Sequence, residues 1–101
     1  MYKHVVMWKI KESGNGPKKA ELVAEIVKQL KTLPGIIKEI EEFEVGQNIG
    51  HYGASFFDVS LIAIYLDETA FKRYCAYPEH DKVVAYITSV VSAEEIVDYE
   101  V

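Results

Sequence analysis

The stretch that most restricts this chain is Phe56 to Leu66, where apolar side chains fall on both alternating faces. Phe57, Val59, Leu61, Ala63 and Tyr65 form one face. Phe56, Ile62, Ile64 and Leu66 share the other with Asp58 and Ser60. From Leu61 onward neither face is polar, so a strand here needs cover on both sides. A chain of 101 residues fits one domain, and no repeat, linker or composition break divides residues 1–101.

The segments around this strand show which elements can supply the cover. Tyr2 to Lys11 alternates as a first strand, with Tyr2, His4, Val6, Trp8 and Ile10 on one face. A turn at Ser13 to Gly16 leads to a helix over residues 17–33, with Pro17 in its first position. Leu22, Val23, Ile26, Val27, Leu30 and Leu33 draw its apolar stripe, and Pro34-Gly35 ends it. Residues 36–47 read as a second strand. Its apolar phase switches between Ile40 and Phe43, which a bulge near Glu41-Glu42 explains. A loop, Asn48 to Gly53, precedes the central strand. After it Asp67 caps a short helix that carries Ala70, Phe71, Tyr74 and Cys75 inward. Pro78 interrupts that helix and starts another, striped by Val83, Val84, Ile87, Val90 and Val91. Glu95 to Val101 alternates as the last strand.

The order β-α-β-β-α-β predicts an α+β, ferredoxin-like split βαβ fold: a four-stranded antiparallel sheet with helices on one face. The opposite face is then apolar and open, which soluble monomers rarely tolerate. A homodimer whose sheets face each other, a dimeric α/β barrel, is the expected solution.

Charge and composition narrow the partners. Residues 1–38 hold eight basic and three acidic groups (+5); residues 39–101 hold three and thirteen (-10), together the net -5. No basic cluster is dense enough for a nucleic-acid partner. No apolar run approaches the ~18 residues of a membrane span and no leader is legible, so no membrane partner is expected. The single cysteine, Cys75, cannot form an intrachain disulfide, which fits a cytoplasmic location. No His-x-x-His or acid-rich spacing predicts a metal, and no glycine-rich phosphate loop predicts a nucleotide cofactor.

Five pieces of sequence resemble one family, the stress-responsive A/B barrel domain. They are His4-Val5-Val6, Gly46-Gln47-Asn48, Phe56-Phe57-Asp58-Val59-Ser60-Leu61, Tyr74-Cys75-Ala76-Tyr77-Pro78-Glu79-His80 and Val97-Asp98-Tyr99. The resemblance spans nearly the whole chain; its most specific part is a strand 1 His combined with Tyr-x-x-x-x-Pro-x-His. It implies a small dimeric barrel. The family includes olivetolic acid cyclase, a polyketide cyclase that works without metal or organic cofactor. By motif, its catalytic Tyr and His fall on Tyr74 and His80, and its strand 1 pocket His on His4. Where that enzyme has a further pocket His near the start of strand 3, this chain reads Phe57-Asp58-Val59.

The candidate catalytic residues are therefore His4, Tyr74 and His80, with no cofactor and no metal. An imidazole that titrates near neutrality and a phenol entering one apolar cavity suit general acid–base work on a small apolar or aromatic carbonyl compound. His80 is then the base, Tyr74 the partner of a developing oxyanion, and His4 a positioning or proton-relay group. The plainer reading makes the same rings satisfied structural groups of a binding or stress-protective dimer. A third reading is a quinol monooxygenase-like barrel using Trp8 and the histidines on an electron-rich aromatic, although a lone Trp on an apolar strand face more often belongs to a dimer core. His51 reads as a solvated loop residue and Cys75 as helix packing.

Overall fold

A computed structural model describes residues 1–12 and 14–101, and Ser13, the first residue of the expected turn, lies outside it. The strands are β1 (Tyr2–Ile10), β2 (Ile40–Gln47), β3 (Val59–Tyr65) and β4 (Val91–Glu100); the helices are α1 (Lys19–Thr32), α2 (Glu68–Cys75) and α3 (Pro78–Val90). They form a four-stranded sheet in the order β2-β3-β1-β4. Every neighbouring pair is antiparallel. This is the ferredoxin-like arrangement that the element order predicts.

Alternation assigns every strand residue to one of two surfaces. Val6, Trp8, Ile10, Val59, Leu61, Ala63 and Tyr65 lie on the helix side and are buried. They pack against Val23, Ile26 and Leu30 of α1, Ala70 and Tyr74 of α2, and Val83 and Ile87 of α3. The other surface carries Val5 and Met7, paired with Ile62 and Ser60. Val5 and Lys3 also face Val97 and Tyr99 of β4. Met7, Val97 and Tyr99 are exposed at 41%, 56% and 45%. The double-sided apolar pattern of β3 thus has helices on one side only.

Boundaries depart from the sequence reading where a local hydrogen bond competes with the pattern. Helix α1 starts at Lys19, because Lys18 stays extended as its N-cap and Pro17 lies outside. Residues 36–39 are not strand. A 3-10 turn, Leu33–Gly35, follows α1, and the amide of Ile37 donates to the Leu33 carbonyl at 2.8 Å, tucking a fully buried Ile37 under the helix. The expected bulge is present: the β2–β3 register shifts between Ile40 and Glu42. Phe56 and Phe57 belong to the loop. Strand β4 begins directly where α3 ends, with a second register shift opposite Lys9 and Ile10.

Two side chains anchor the ends of the elements. Asp67 caps α2 by accepting from the Ala70 amide at 2.8 Å. Asp58 accepts from the Ile10 amide at 2.8 Å and pairs with Lys19 at 3.2 Å, joining the end of β1 to the start of α1.

Candidate functional site

Between the inner face of the sheet and the three helices lies a cavity of about 300 Å³ lined by His4, Tyr74 and His80 among others. That volume is at the lower end for small-molecule sites. Three elements bring these residues together. Alternation along β1 puts His4 on the same side as Val6 and Trp8. Helix α2 projects Phe71 and Tyr74 together, since residues three apart share a helix face. Pro78 starts α3 and leaves His80 in its first turn. The joint between α2 and α3 is fixed by Glu39, which accepts from the Tyr77 hydroxyl at 2.8 Å and from Arg73 at 3.2 Å.

The rings form a contiguous cluster. His80 meets Tyr74 edge-on with centroids 4.6 Å apart. Phe71 lies 4.9 Å from His4 and 5.9 Å from Tyr74, bridging the two. Tyr65 packs 4.8 Å from Tyr74, and its hydroxyl is enclosed with no hydrogen bond of ordinary geometry.

Each polar ring has a distinct protonation environment. His4 sits opposite Asp98 in the β1–β4 register, and its Nδ1 lies 2.6 Å from Asp98 Oδ1. A carboxylate only accepts, so Nδ1 carries the hydrogen and Nε2 is left for the cavity. The second Asp98 oxygen accepts from the Tyr2 hydroxyl at 2.6 Å, and this bond pushes the Tyr2 phenol up to about 12. His80 Nδ1 is buried and has no hydrogen-bond partner; the Asp81 carboxylate stands 3.7 Å away. Burial holds the His80 imidazole below its ordinary value, with Asp81 acting in the opposite sense. The ring is therefore neutral around neutrality. Burial also pushes the Tyr74 phenol up to about 12, partly offset by the neighbouring Tyr65 hydroxyl. Tyr74 is thus a proton-bearing donor at the same pH.

All three candidate residues from the sequence meet at this cavity. Trp8 lies there too, on the helix side and not on the open face, which removes it from any sheet-to-sheet contact. Its indole donates to Glu94 at 2.8 Å. His51 does not join the site; it is exposed and lies edge-on to Phe56 at 5.6 Å. Cys75 lines the cavity, but burial pushes its thiol up and leaves it a poor nucleophile. Asp98, Glu94 and Tyr65 were not legible as site residues. Only the strand register, which a single sequence does not specify, makes Asp98 the partner of His4.

The stress responsive A/B barrel domain model matches residues 2–101. The chain belongs to that family. Solved structures repeat the fold of this A/B barrel chain at low sequence identity. A dimeric ferredoxin-like protein of unknown function from Bacteroides fragilis is 24% identical, with TM-score 0.84 over 99% of this chain and 95% of its own. A hydroxynitrile lyase from Passiflora edulis is 14% identical, with TM-score 0.82 over 99% and 92%. An antibiotic biosynthesis monooxygenase is 14% identical, with TM-score 0.74 over 100% and 98%. No curated protein matches the chain by sequence.

Proposed function

We propose that this A/B barrel chain is a homodimeric, cofactor-independent acid–base catalyst acting on a small carbonyl or aromatic compound held in the cavity. The observation that carries the reading is His80, a half-buried imidazole whose buried Nδ1 makes no hydrogen bond, with only the Asp81 carboxylate 3.7 Å away, beside a phenol that keeps its proton. Leaving a buried polar atom unsatisfied costs roughly 1–3 kcal/mol, and such atoms concentrate where a ligand or catalytic step uses them. His80 removes a proton next to the carbonyl, and the Tyr74 hydroxyl donates to the oxygen on which negative charge develops. His80 then returns the proton to the product carbon or oxygen, and His4, held by Asp98, positions the substrate. The similarity in fold to a hydroxynitrile lyase supports this reading, since cleaving a cyanohydrin also begins with proton removal by a base.

The dimer rests on the open sheet face, where Val5, Met7, Ile62, Ile64, Val97 and Tyr99 share one surface. A second copy brings an identical face, which closes the contact by two-fold symmetry. The Bacteroides relative of this fold is described as dimeric. Sedimentation at micromolar concentration tests it; a stable 11.5 kDa monomer sinks the dimer.

Catalysis is tested without the natural substrate by following deuterium exchange beside the carbonyl of small alkyl and aryl ketones by NMR. Wild-type protein accelerates exchange above buffer, while His80→Ala and Tyr74→Phe do not. No acceleration for any ketone favours the non-catalytic binding dimer. Trp8 facing the cavity favours one second reading, a monooxygenase-like enzyme, which requires oxygen uptake with quinols.

A further inference from the structure

The charges around the cavity are of one sign. Among the described residues no Lys or Arg lines it, whereas Glu94 does. Glu94 is fixed there, because one carboxylate oxygen accepts from the Trp8 indole at 2.8 Å. Asp98, on the same face of β4, stands behind His4. The positive end of α3 lies close to His80, but Glu79 and Asp81 already occupy its first turn and complement it. Burial disfavours the charged form of His80 itself. A negatively charged ligand entering here would lose its hydration and meet the Glu94 carboxylate, with no Lys or Arg among the described lining residues to offset it.

We infer that the cavity selects ligands without negative charge, and that Glu94 is the residue that rejects anions. The inference rests on the reading of this cavity as a ligand site and adds the charge class of what it takes: uncharged carbonyl compounds, not carboxylates, phosphates or acidic thioester carriers. Glu94 is a specificity-determining residue in this account and takes no part in proton transfer.

The chain has one tryptophan, and Trp8 lines the cavity, so its emission reports occupancy directly. The probes are 4-butylacetophenone and 4-butylbenzoate, which share a shape and differ in charge. At pH 7.5 the ketone is expected to quench Trp8 saturably, with a Kd at least about tenfold below that of the carboxylate. Glu94→Gln keeps an oxygen to accept from the Trp8 indole. This variant is expected to narrow the ratio at least threefold, because carboxylate binding improves more than ketone binding. Calorimetry on the same pairs provides a readout independent of Trp8. Equal affinities, tighter carboxylate binding, no saturable binding of the ketone, or an unchanged ratio in Glu94→Gln would each overturn the inference. The two proposals fail separately. A ketone that binds selectively but shows no exchange removes the catalytic reading alone, and exchange without charge selection removes only this one.

Discussion

Asp98 holds Nδ1 of His4 at 2.6 Å, across the β1–β4 pairing, and thereby leaves Nε2 as the ring nitrogen available to the cavity. A carboxylate that fixes a tautomer acts through the ring it orients. Asp98→Asn replaces an obligate acceptor by a group that can donate. The expected result is a shift of the His4 tautomer in nitrogen NMR and a fall of at least about tenfold in ketone exchange, with the far-ultraviolet spectrum unchanged. An unaltered His4 signal would remove Asp98 from the site.

His80 and Tyr74 separate structural from functional use. His80 makes no hydrogen bond through its buried Nδ1 and has the exposed Asp81 carboxylate only at 3.7 Å, so His80→Ala removes little polar stabilisation. Its cost is lost packing against Tyr74, about 1 kcal/mol. Tyr74→Phe is expected to change stability by no more than about 1 kcal/mol, while exchange falls on the order of a hundredfold. Thermal melts that show both variants losing several kcal/mol would assign the rings to structure.

The His80 environment also predicts an acid limb. Burial holds the folded imidazole below its ordinary value, so the unfolded chain takes up a proton as pH falls through about 6.5 while the folded chain does not. Stability is full above that pH and declines below it until the folded ring titrates. The slope from this one group is at most ~1.4 kcal/mol per pH unit. Asp81 faces the ring directly, and His4 with Asp98 lies across the cavity, so the measurement is a difference: denaturant unfolding of wild type against His80→Asn between pH 7.5 and 5. The variant is expected to lose the limb. Parallel curves would contradict the assignment.

Leu61 and Ile62 are adjacent and belong to different surfaces. Leu61 is 2% exposed against the helices, whereas Ile62 lies opposite Val5 on the open face. Leu61→Asp puts an unpaired charge in the core at a cost of several kcal/mol, against a total of roughly 5–15, and is expected to unfold the chain. Ile62→Asp is expected to leave a folded protein that sediments as a monomer. Circular dichroism and sedimentation on the pair distinguish these outcomes; a folded Leu61→Asp or a dimeric Ile62→Asp would refute the two-surface assignment.

Residue pattern revealed the architecture because period-two alternation and helical stripes are local properties. Even the β2 bulge was visible, as the change of phase between Ile40 and Phe43. The exit from α1 was not, because the Ile37 amide bond to Leu33 depends on how the turn closes. The site divides the same way. Tyr74, His80 and His4 were singled out by the family resemblance, and their inward helix faces and strand parity agree with the cavity that they line. Asp98 was hidden because Glu94, Asp98 and Glu100 make the more polar face of β4, which reads as the solvent side. In the fold that face looks toward the cavity, while Val97 and Tyr99 look outward. The apolar face of β4 is therefore no guide to where the helices lie.

Strand β1 works as a partition wall. Its even residues, from His4 to Trp8, furnish the chamber, while Lys3, Val5, Met7 and Lys9 furnish the exterior. Deleting one residue from its middle would exchange the two for part of the strand: ammonium groups would be driven indoors, and the imidazole and indole would be turned out. Such a lesion strikes the proposed ligand site and the proposed intersubunit surface together, so no compensating change at either one alone repairs it. Length changes in the Asn48–Phe57 loop, none of whose residues line the chamber, carry no such double penalty.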